Sequence, residues 1–460
     1  MNDYRTYSYW LESVEDDLTP RPPLTAGVSA DVAILGAGYS GLWTAYYLNR
    51  LQPALDIKIV EAEVAGFGAS GRNGSWCSSG FPVSPGQLVK RFGRDTARQL
   101  EETMFRTVDE VGEVCRQENI DAHFNKSGVL RIARGRHQVP ALHAAYAAYR
   151  DLGLADHFTL LDAAQTEQRV KVTEAQGSLF NPDCATVHPA ALVRGLARVV
   201  ERHGVTIYEG SPVVDVPSVP TPRLVTEGGE IRAGVVVLCG EAYLSRLRAF
   251  HRKIMPLYSL IALTEPLSAE QWERIGWAGR ECLSSFRYTV DYLARTRDGR
   301  ILFGSRGAPY HYDSRIDDAY DRHDRTHRMI QSLFYAWFPG LRDVSFTHHW
   351  GGPVGMPRDW MPTVAFDPAT GIATARGYTG QGVATTNLAG RTLAHLITGV
   401  PSELTSLPFV NHRSPDWEPE PLRWLGMRFL QREYERIDLK AERTGKPPSG
   451  RSPAEILGKH

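Results

Sequence analysis

The chain has 460 residues, and its 52 basic side chains balance its 52 acidic ones. That neutrality leaves no electrostatic footprint for nucleic acid or an anionic membrane, and the length exceeds one hydrophobic core, so two domains are expected. The five cysteines (Cys77, Cys115, Cys184, Cys239, Cys282) are odd in number and scattered, without a C-x-x-C pair. They exclude a disulfide framework or a zinc site and point to a reducing, cytoplasmic setting.

Residues 1–30 read as an arm, with Tyr7, Tyr9 and Trp10 to pin it and a Pro-rich link after them. The polar start lacks the apolar core of a signal peptide. Asp31 to Leu35 then reads as a short buried strand, and Gly36, Gly38 and Gly41 follow with G-x-G-x-x-G spacing before a helix. Gly36 serves the tight turn, Gly38 the close approach of a pyrophosphate, and Gly41 the packing of helix on sheet. Free N–H groups at that helix start would face the phosphates. The second strand, Asp56 to Val60, ends at Glu61, placed to accept from a ribose hydroxyl. Tyr39-Ser40 in the variable positions and an acid at the strand end favour FAD or NAD over a 2′-phosphate dinucleotide. Val32 to Asn49 carries no charge, but it holds the glycine motif, so it is read as strand and helix. No membrane-spanning segment is expected.

Ala65 to Trp76 contains six Gly or Ala in twelve residues. It is read as a loop laid against the cofactor, with Ser70, Arg72 and Asn73 its strong polar contributors. Phe92 to Glu118 is a long amphipathic helix; a strand (Gly128 to Ala133) and a helix (Ala141 to Leu152) follow as scaffold. His188 to His203 is a helix with Pro189 near its start. Strand Val205 to Tyr208 and the extended Val213-Val214 follow. Gly234 to Gly240 is a fully apolar strand suited to a buried parallel position. It ends at Cys239-Gly240, where ligands sit.

Residues 250–345 are rich in aromatic and β-branched runs: Tyr258 to Thr264, Phe286 to Arg295 and Ile301 to Gly304. A turn at Arg297 to Arg300 joins two of them. They are read as an antiparallel sheet walling a substrate pocket. His311 to His327 is dense in His and Asp and is read as a solvated helix or loop, with no metal expected. After Trp350 to Pro362 and a strand, Gly377-Tyr378-Thr379-Gly380-Gln381-Gly382 opens a second helix through Leu396. A second glycine-rich helix start can stabilise the flavin edge that turns negative on reduction, which favours FAD over NAD. A C-terminal helix from Pro421 to Arg443 and a loose end at Gly445 to Gly450 complete the chain.

These motifs resemble the D-amino-acid-oxidase superfamily of FAD enzymes, and within it the gamma-glutamylputrescine oxidase-like subgroup. The carriers are Gly36 to Glu61, Ala69 to Gly74, the helix from His188 with Val213-Val214, Cys239-Gly240, Trp350 to Pro362 and Gly377 to Gly382. The resemblance implies an α/β, two-domain architecture of the glutathione-reductase-type FAD fold. A discontinuous Rossmann-type domain (31–85, 160–250 and 345–400) would interleave with an antiparallel substrate domain (86–159 and 251–344), followed by a helical tail (401–460). It places Gly36, Ala37, Gly38, Tyr39, Ser40 and Gly41 at the pyrophosphate, and Glu61 with Ala62 at the ribose. Ser70, Gly71, Arg72, Asn73 and Gly74 would lie along the phosphates and flavin. Val213 and Val214 would lie by adenine, with Cys239 and Gly240 at the strand end. Gly377, Tyr378, Thr379, Gly380, Gln381 and Gly382 would lie by the isoalloxazine and ribityl chain.

The chain departs from the superfamily pattern in three places. Val354 stands where glycine-oxidase-like members carry the arginine that clamps a substrate carboxylate, which disfavours an α-amino acid. Gly352 stands where monomeric sarcosine oxidase attaches FAD covalently, so FAD should be non-covalent. Leu302 stands in place of that enzyme's lysine for oxygen, so the acceptor is open between oxygen and another carrier. The expected reaction is hydride transfer from an amine's α-carbon to flavin N5, with hydrolysis of the resulting imine. Pocket candidates are Tyr258, Tyr288, Trp350 and Tyr378, because aromatic walls suit an amine; core packing is the competing reading for each. His349 is read as a core histidine. The alternatives are a D-amino-acid dehydrogenase or oxidase, a flavin monooxygenase using NAD(P)H, a tRNA-modifying flavoprotein and a non-catalytic nucleotide-binding module.

Overall fold

The first strand, Val28–Leu35, buries both of its faces through Val32, Ala33 and Ile34, as a central parallel strand must. In this computed structural model, which describes residues 3–305 and 310–457, it pairs in parallel with Glu230–Leu238 on one side and Ile57–Val60 on the other. Thr206–Tyr208 extends the sheet beyond Ile57–Val60. Ile372–Arg376 extends it beyond Glu230–Leu238, and Thr363–Asp367 closes that edge antiparallel.

Helix Tyr39–Leu51 leaves the first strand through Gly36, whose φ of +100° is left-handed. A Cβ at Gly41 would stand 2.0 Å from the Gly36 carbonyl oxygen, so only glycine lets the helix start this close to the turn. Helix Gly382–Thr398 crosses the same helix in backbone contact. A Cβ at Gly390 would come within 2.7 Å of the Trp43 Cβ and 2.8 Å of the Thr44 nitrogen.

The second sheet has eight strands, in the order Phe346–Met356, Met255–Thr264, Ile301–Ser305, Asp291–Arg295, Cys282–Ser285, Val129–Arg134, Ala175–Asn181 and Thr159–Asp162. It is antiparallel except where Cys282–Ser285 runs parallel to Val129–Arg134. The turn expected at Arg297 to Arg300 joins Asp291–Arg295 to Ile301–Ser305, with Gly299 at φ +80°.

These pairings move three expected boundaries. Strands Thr159–Asp162, Ala175–Asn181 and Phe346–Met356 belong to the second sheet, although 160–250 and 345–400 were assigned to the nucleotide domain. Sheet membership is set by the partner strand: Phe346–Met356 runs the length of Met255–Thr264. The expected strand Phe286 to Arg295 is shorter, because residues 286–290 turn between Cys282–Ser285 and Asp291–Arg295. Gly445 to Gly450 is tied down rather than loose. The Gly450 N–H donates to the buried Glu455, which sits on the short helix Pro453–Leu457. The last three residues of the tail lie outside the described residues.

The arm does more than rest on the body. Ser8 donates to the Gly71 carbonyl, Trp10 Nε1 donates to the Asn73 carbonyl, and Arg21 pairs with Glu201 and the fully buried Glu209.

Gly390→Ala should cost about 1–3 kcal/mol through overpacking at the helix crossing. Gly86→Ala, whose Cβ would meet nothing within 4 Å, should leave the thermal midpoint unchanged or raise it. Thermal melts of the two variants check this.

Candidate active site

The carboxyl ends of the parallel strands open onto one large cavity of about 810 Å³. Its volume falls in the range typical of sites for sizeable organic ligands. One wall is made by the glycine-rich segments: Gly36, Gly38, Tyr39 and Ser40; Glu61 and Ala62; Ser70 and Arg72 to Gly74; Val213; Cys239 and Gly240; and Tyr378 to Gly382. The opposite wall is the second sheet, with Leu257, Tyr258, Ser259, Ile261, Tyr292, Gly352 and Val354.

Both glycine-started helices begin at this cavity, and neither is capped by its own N-cap side chain. Their N–H groups form two anion-attracting ends. The Ser40 hydroxyl donates to the Tyr378 hydroxyl at 2.9 Å, which links the two helix starts. Ser70 Oγ accepts from the Tyr39 N–H at 2.9 Å and so holds the glycine loop against the first of them.

Four expected residues shape the cavity without lining it: Ala37, Gly41, Gly71 and Gly377. Ala37 donates its N–H to Glu61 Oε2 at 2.8 Å, and Gly377 donates to Glu241 Oε2 at 2.7 Å. Val214 lies outside the lining and is 55% exposed. Successive side chains of the strand Val213–Asp215 alternate, so with Val213 at the cavity Val214 faces away.

Of the aromatic candidates, Tyr258 and Tyr378 line the cavity. Trp350 is buried against Trp10, Ile261 and Leu302, and its Nε1 donates to the Arg72 carbonyl at 2.9 Å. It supports the loop and does not wall the pocket. Tyr288 is misplaced by the sequence reading. It sits on the turn at 286–290, donates to Glu455 at 3.0 Å and faces Tyr434 on the C-terminal helix. Arg72 lines the cavity, yet its guanidinium is committed to Asp321 and to the Tyr243 hydroxyl.

Glu61 takes N–H bonds from Ala37 and Glu63, but burial outweighs them and pushes its carboxyl up to about 7. Glu241 escaped the sequence reading. Held at φ +45°, it receives the Gly377 and Tyr378 N–H groups, and burial raises it to about 7 as well. An acid two positions beyond an apolar strand's last cysteine was the available signal. Among the described residues no cluster of three or more His, Cys, Asp or Glu could hold a metal. Within the stretch His311 to His327, His311 stacks on Tyr320, and the last four residues open the helix Asp324–Trp337 with Thr326 and His327 buried.

The chain matches the family described as DAO, FAD dependent oxidoreductase, over residues 31–396. It belongs to that family. The DAO assignment makes the chain an FAD-dependent oxidoreductase, and the two uncapped helix starts around one cavity suit a dinucleotide. Gamma-glutamylputrescine oxidoreductase of Escherichia coli is 30% identical over 398 residues, which cover 86% of this chain and 89% of that one. Among solved structures, glycine oxidase from Geobacillus kaustophilus superposes with a TM-score of 0.68 at 20% identity, covering 84% of this chain and 99% of its own. L-proline dehydrogenase from P. horikoshii gives 0.67 at 18%, covering 85% and 96%. These two share the two-domain α/β fold.

If FAD places its ribose at Glu61, the ionised carboxylate accepts the hydroxyl more strongly than the protonated acid does. Burial holds that carboxyl protonated below about pH 7 in the free protein, so FAD bound in this way would favour release of a proton. The dissociation constant for FAD should therefore rise by up to about tenfold per pH unit below 7 and level off above it. Glu61→Gln should weaken binding and remove most of the slope. Titration of apoprotein with FAD from pH 5.5 to 8.5 checks both.

Proposed function

We propose that this DAO-family enzyme oxidises the C–N bond of a primary or secondary amine other than a free α-amino acid, with FAD held non-covalently. One observation carries the reading. The strand Phe346–Met356 lines the cavity through Gly352, Pro353, Val354 and Met356, and it contains no arginine or lysine. An α-carboxylate would meet an apolar wall there, without the bidentate partner it needs. Gly352 has no side chain with which to tether a flavin. The relative named for gamma-glutamylputrescine agrees with an amine substrate.

When bound, FAD would supply the two-electron acceptor for oxidation of the amine's C–N bond, and the imine formed would be hydrolysed by water to a carbonyl product and a free amine. The chain's own part is to position and desolvate. Leu257, Tyr258, Ile261, Val354 and Met356 give a wall that strips water from the substrate and keeps its amine neutral. The Tyr258 hydroxyl is locked between the Asp317 carbonyl at 3.1 Å and the Asp317 N–H at 3.0 Å. The Tyr378 hydroxyl is engaged by Ser40. Tyr258 is thus committed both as donor and as acceptor, and hydride transfer from a neutral amine requires no protein base.

Leu302 is fully buried in the core beside Ala294 and Trp350. It offers no cation for oxygen reduction, which weighs towards another electron carrier. Among the described residues no helix is long and apolar enough to cross a membrane. The five buried free cysteines suit the reducing cytoplasm.

Anaerobic mixing with polyamines and N-acylpolyamines should bleach the bound flavin, while glycine and free D-amino acids should react at least about 100-fold more slowly, the cost of an unpaired carboxylate. Bleaching by free α-amino acids alone would sink the reading. Val354→Arg should reverse part of that preference.

A further inference from the structure

The stretch beyond strand Glu230–Leu238 concentrates positive charge. Arg246, Arg248, His251, Arg252 and Lys253 fall within eight residues that contain no acid, in a chain whose basic and acidic counts are equal. Two short 3₁₀ turns, Glu241–Arg246 and Arg248–Phe250, carry the first part of the stretch. The five side chains line a second hollow of about 460 Å³, together with Ala249 and Asp416. Arg246, Arg248 and Arg252 are exposed, as the contact residues of a docking surface must be.

Little in the surroundings cancels this charge. Lys253 pairs with Asp416 at 2.5 Å, and His251 Nε2 lies 2.9 Å from Asp313 Oδ1. Both acids are exposed, and ion pairs in water hold weakly. Arg252 Nε donates to the Trp417 carbonyl at 2.8 Å, which orients the guanidinium without neutralising it. Among the described residues Arg246 and Arg248 have no hydrogen-bond acceptor and no carboxylate at ion-pair distance.

The patch stands at the edge of the main cavity. Arg246 lines both hollows, and its guanidinium lies 5.2 Å from the centre of the Tyr243 ring. Tyr243 in turn borders the glycine loop. A Cβ at Gly68 would lie 3.4 Å from its ring, and its hydroxyl accepts from Arg72 at 2.6 Å. Arg72 reaches across to the second sheet, where a Cβ at Gly352 would lie 3.6 Å from its Cζ. Packed side chains therefore run from the charged surface to both walls of the site.

We propose that the surface from Arg246 to Lys253 docks an acidic one-electron carrier protein, which accepts the electrons removed from the amine. The inference rests on the reading above that a carrier other than oxygen is the acceptor. Overall, the amine and one water give the carbonyl product, the free amine, two protons and two electrons. Two oxidised carrier molecules take one electron each, and the protons pass to solvent. Redox encounters bury little surface, so opposite charge rather than apolar area brings the partners together and lets them part.

The test bypasses the amine. Holoenzyme reduced anaerobically with one equivalent of dithionite is mixed with oxidised plastocyanin, an acidic copper protein, or with oxidised cytochrome c, a basic haem protein. Reduction of each carrier is followed by its absorbance. The plastocyanin rate should fall at least about tenfold between about 20 and 500 mM salt, while the cytochrome c rate should hold or rise. Arg246→Glu combined with Arg248→Glu should slow plastocyanin at least about tenfold at low salt and speed cytochrome c. Arg150→Glu, an exposed charge reversal on helix Val139–Asp151, should change neither. Flavin content and a thermal melt show that each variant is folded. Should the double variant not fold, Arg248→Glu and the wild-type salt series still decide. A plastocyanin rate that ignores salt, or one that the variants leave unchanged, overturns the proposal. So does oxygen reoxidising the holoenzyme faster than either carrier, and so does adsorption to phosphatidylglycerol vesicles through these arginines without a preference for plastocyanin. A salt-sensitive plastocyanin reaction with no amine able to bleach the flavin would overturn the amine reading instead and leave the docking surface standing.

Discussion

Two helices pressed together backbone to backbone hold the nucleotide domain in shape. Gly390 of Gly382–Thr398 meets Trp43 and Thr44 of Tyr39–Leu51 at a distance no side chain permits. Both helices start with glycine, and their starts are joined by the Ser40–Tyr378 hydrogen bond. Because the contact is rigid, two helix N-termini open onto one cavity at a fixed separation. The glycine loop at 66–74 and Glu241 then fix the remaining edges of that wall. A dinucleotide needs both of its ends recognised at once, and packing of this kind supplies that without a flexible joint.

What was legible in the sequence was local. Strand, glycine turn, helix and acid from Asp31 to Glu61 follow one another along the chain, so spacing alone reveals them. The second glycine start at Gly377 to Gly382 is legible for the same reason. Residues whose role depends on a distant partner were not. Tyr288 looked like a pocket aromatic because its neighbours are strand-like, but a five-residue turn carries it to the C-terminal helix. Trp350 was singled out from its motif and proved to brace Arg72 through a backbone hydrogen bond. Three strands, Thr159–Asp162, Ala175–Asn181 and Phe346–Met356, pair into the second sheet for the same reason, since a strand's sheet is chosen by its partner and not by its composition.

The chemistry of the cavity is uneven from end to end. The edge strand near Val354 is apolar, and the far strands add Arg131 to the lining. The superfamily fold is shared with proteins named for glycine and L-proline, so the fold itself sets no substrate. The second sheet, which lies opposite the glycine-built wall, supplies the side chains on which the proposed substrate reading rests.

The amino-terminal arm has a consequence for the order of assembly. Ser8 and Trp10 hold the carbonyls of Gly71 and Asn73, and Arg21 needs Glu201 and Glu209. These partners lie 63 to 188 residues downstream, so the arm can complete its contacts only after the segment carrying Glu201 and Glu209 has been made. It closes as a latch over the loop that faces the cavity, fastened at one end to that loop and at the other to the helix and strand that follow it.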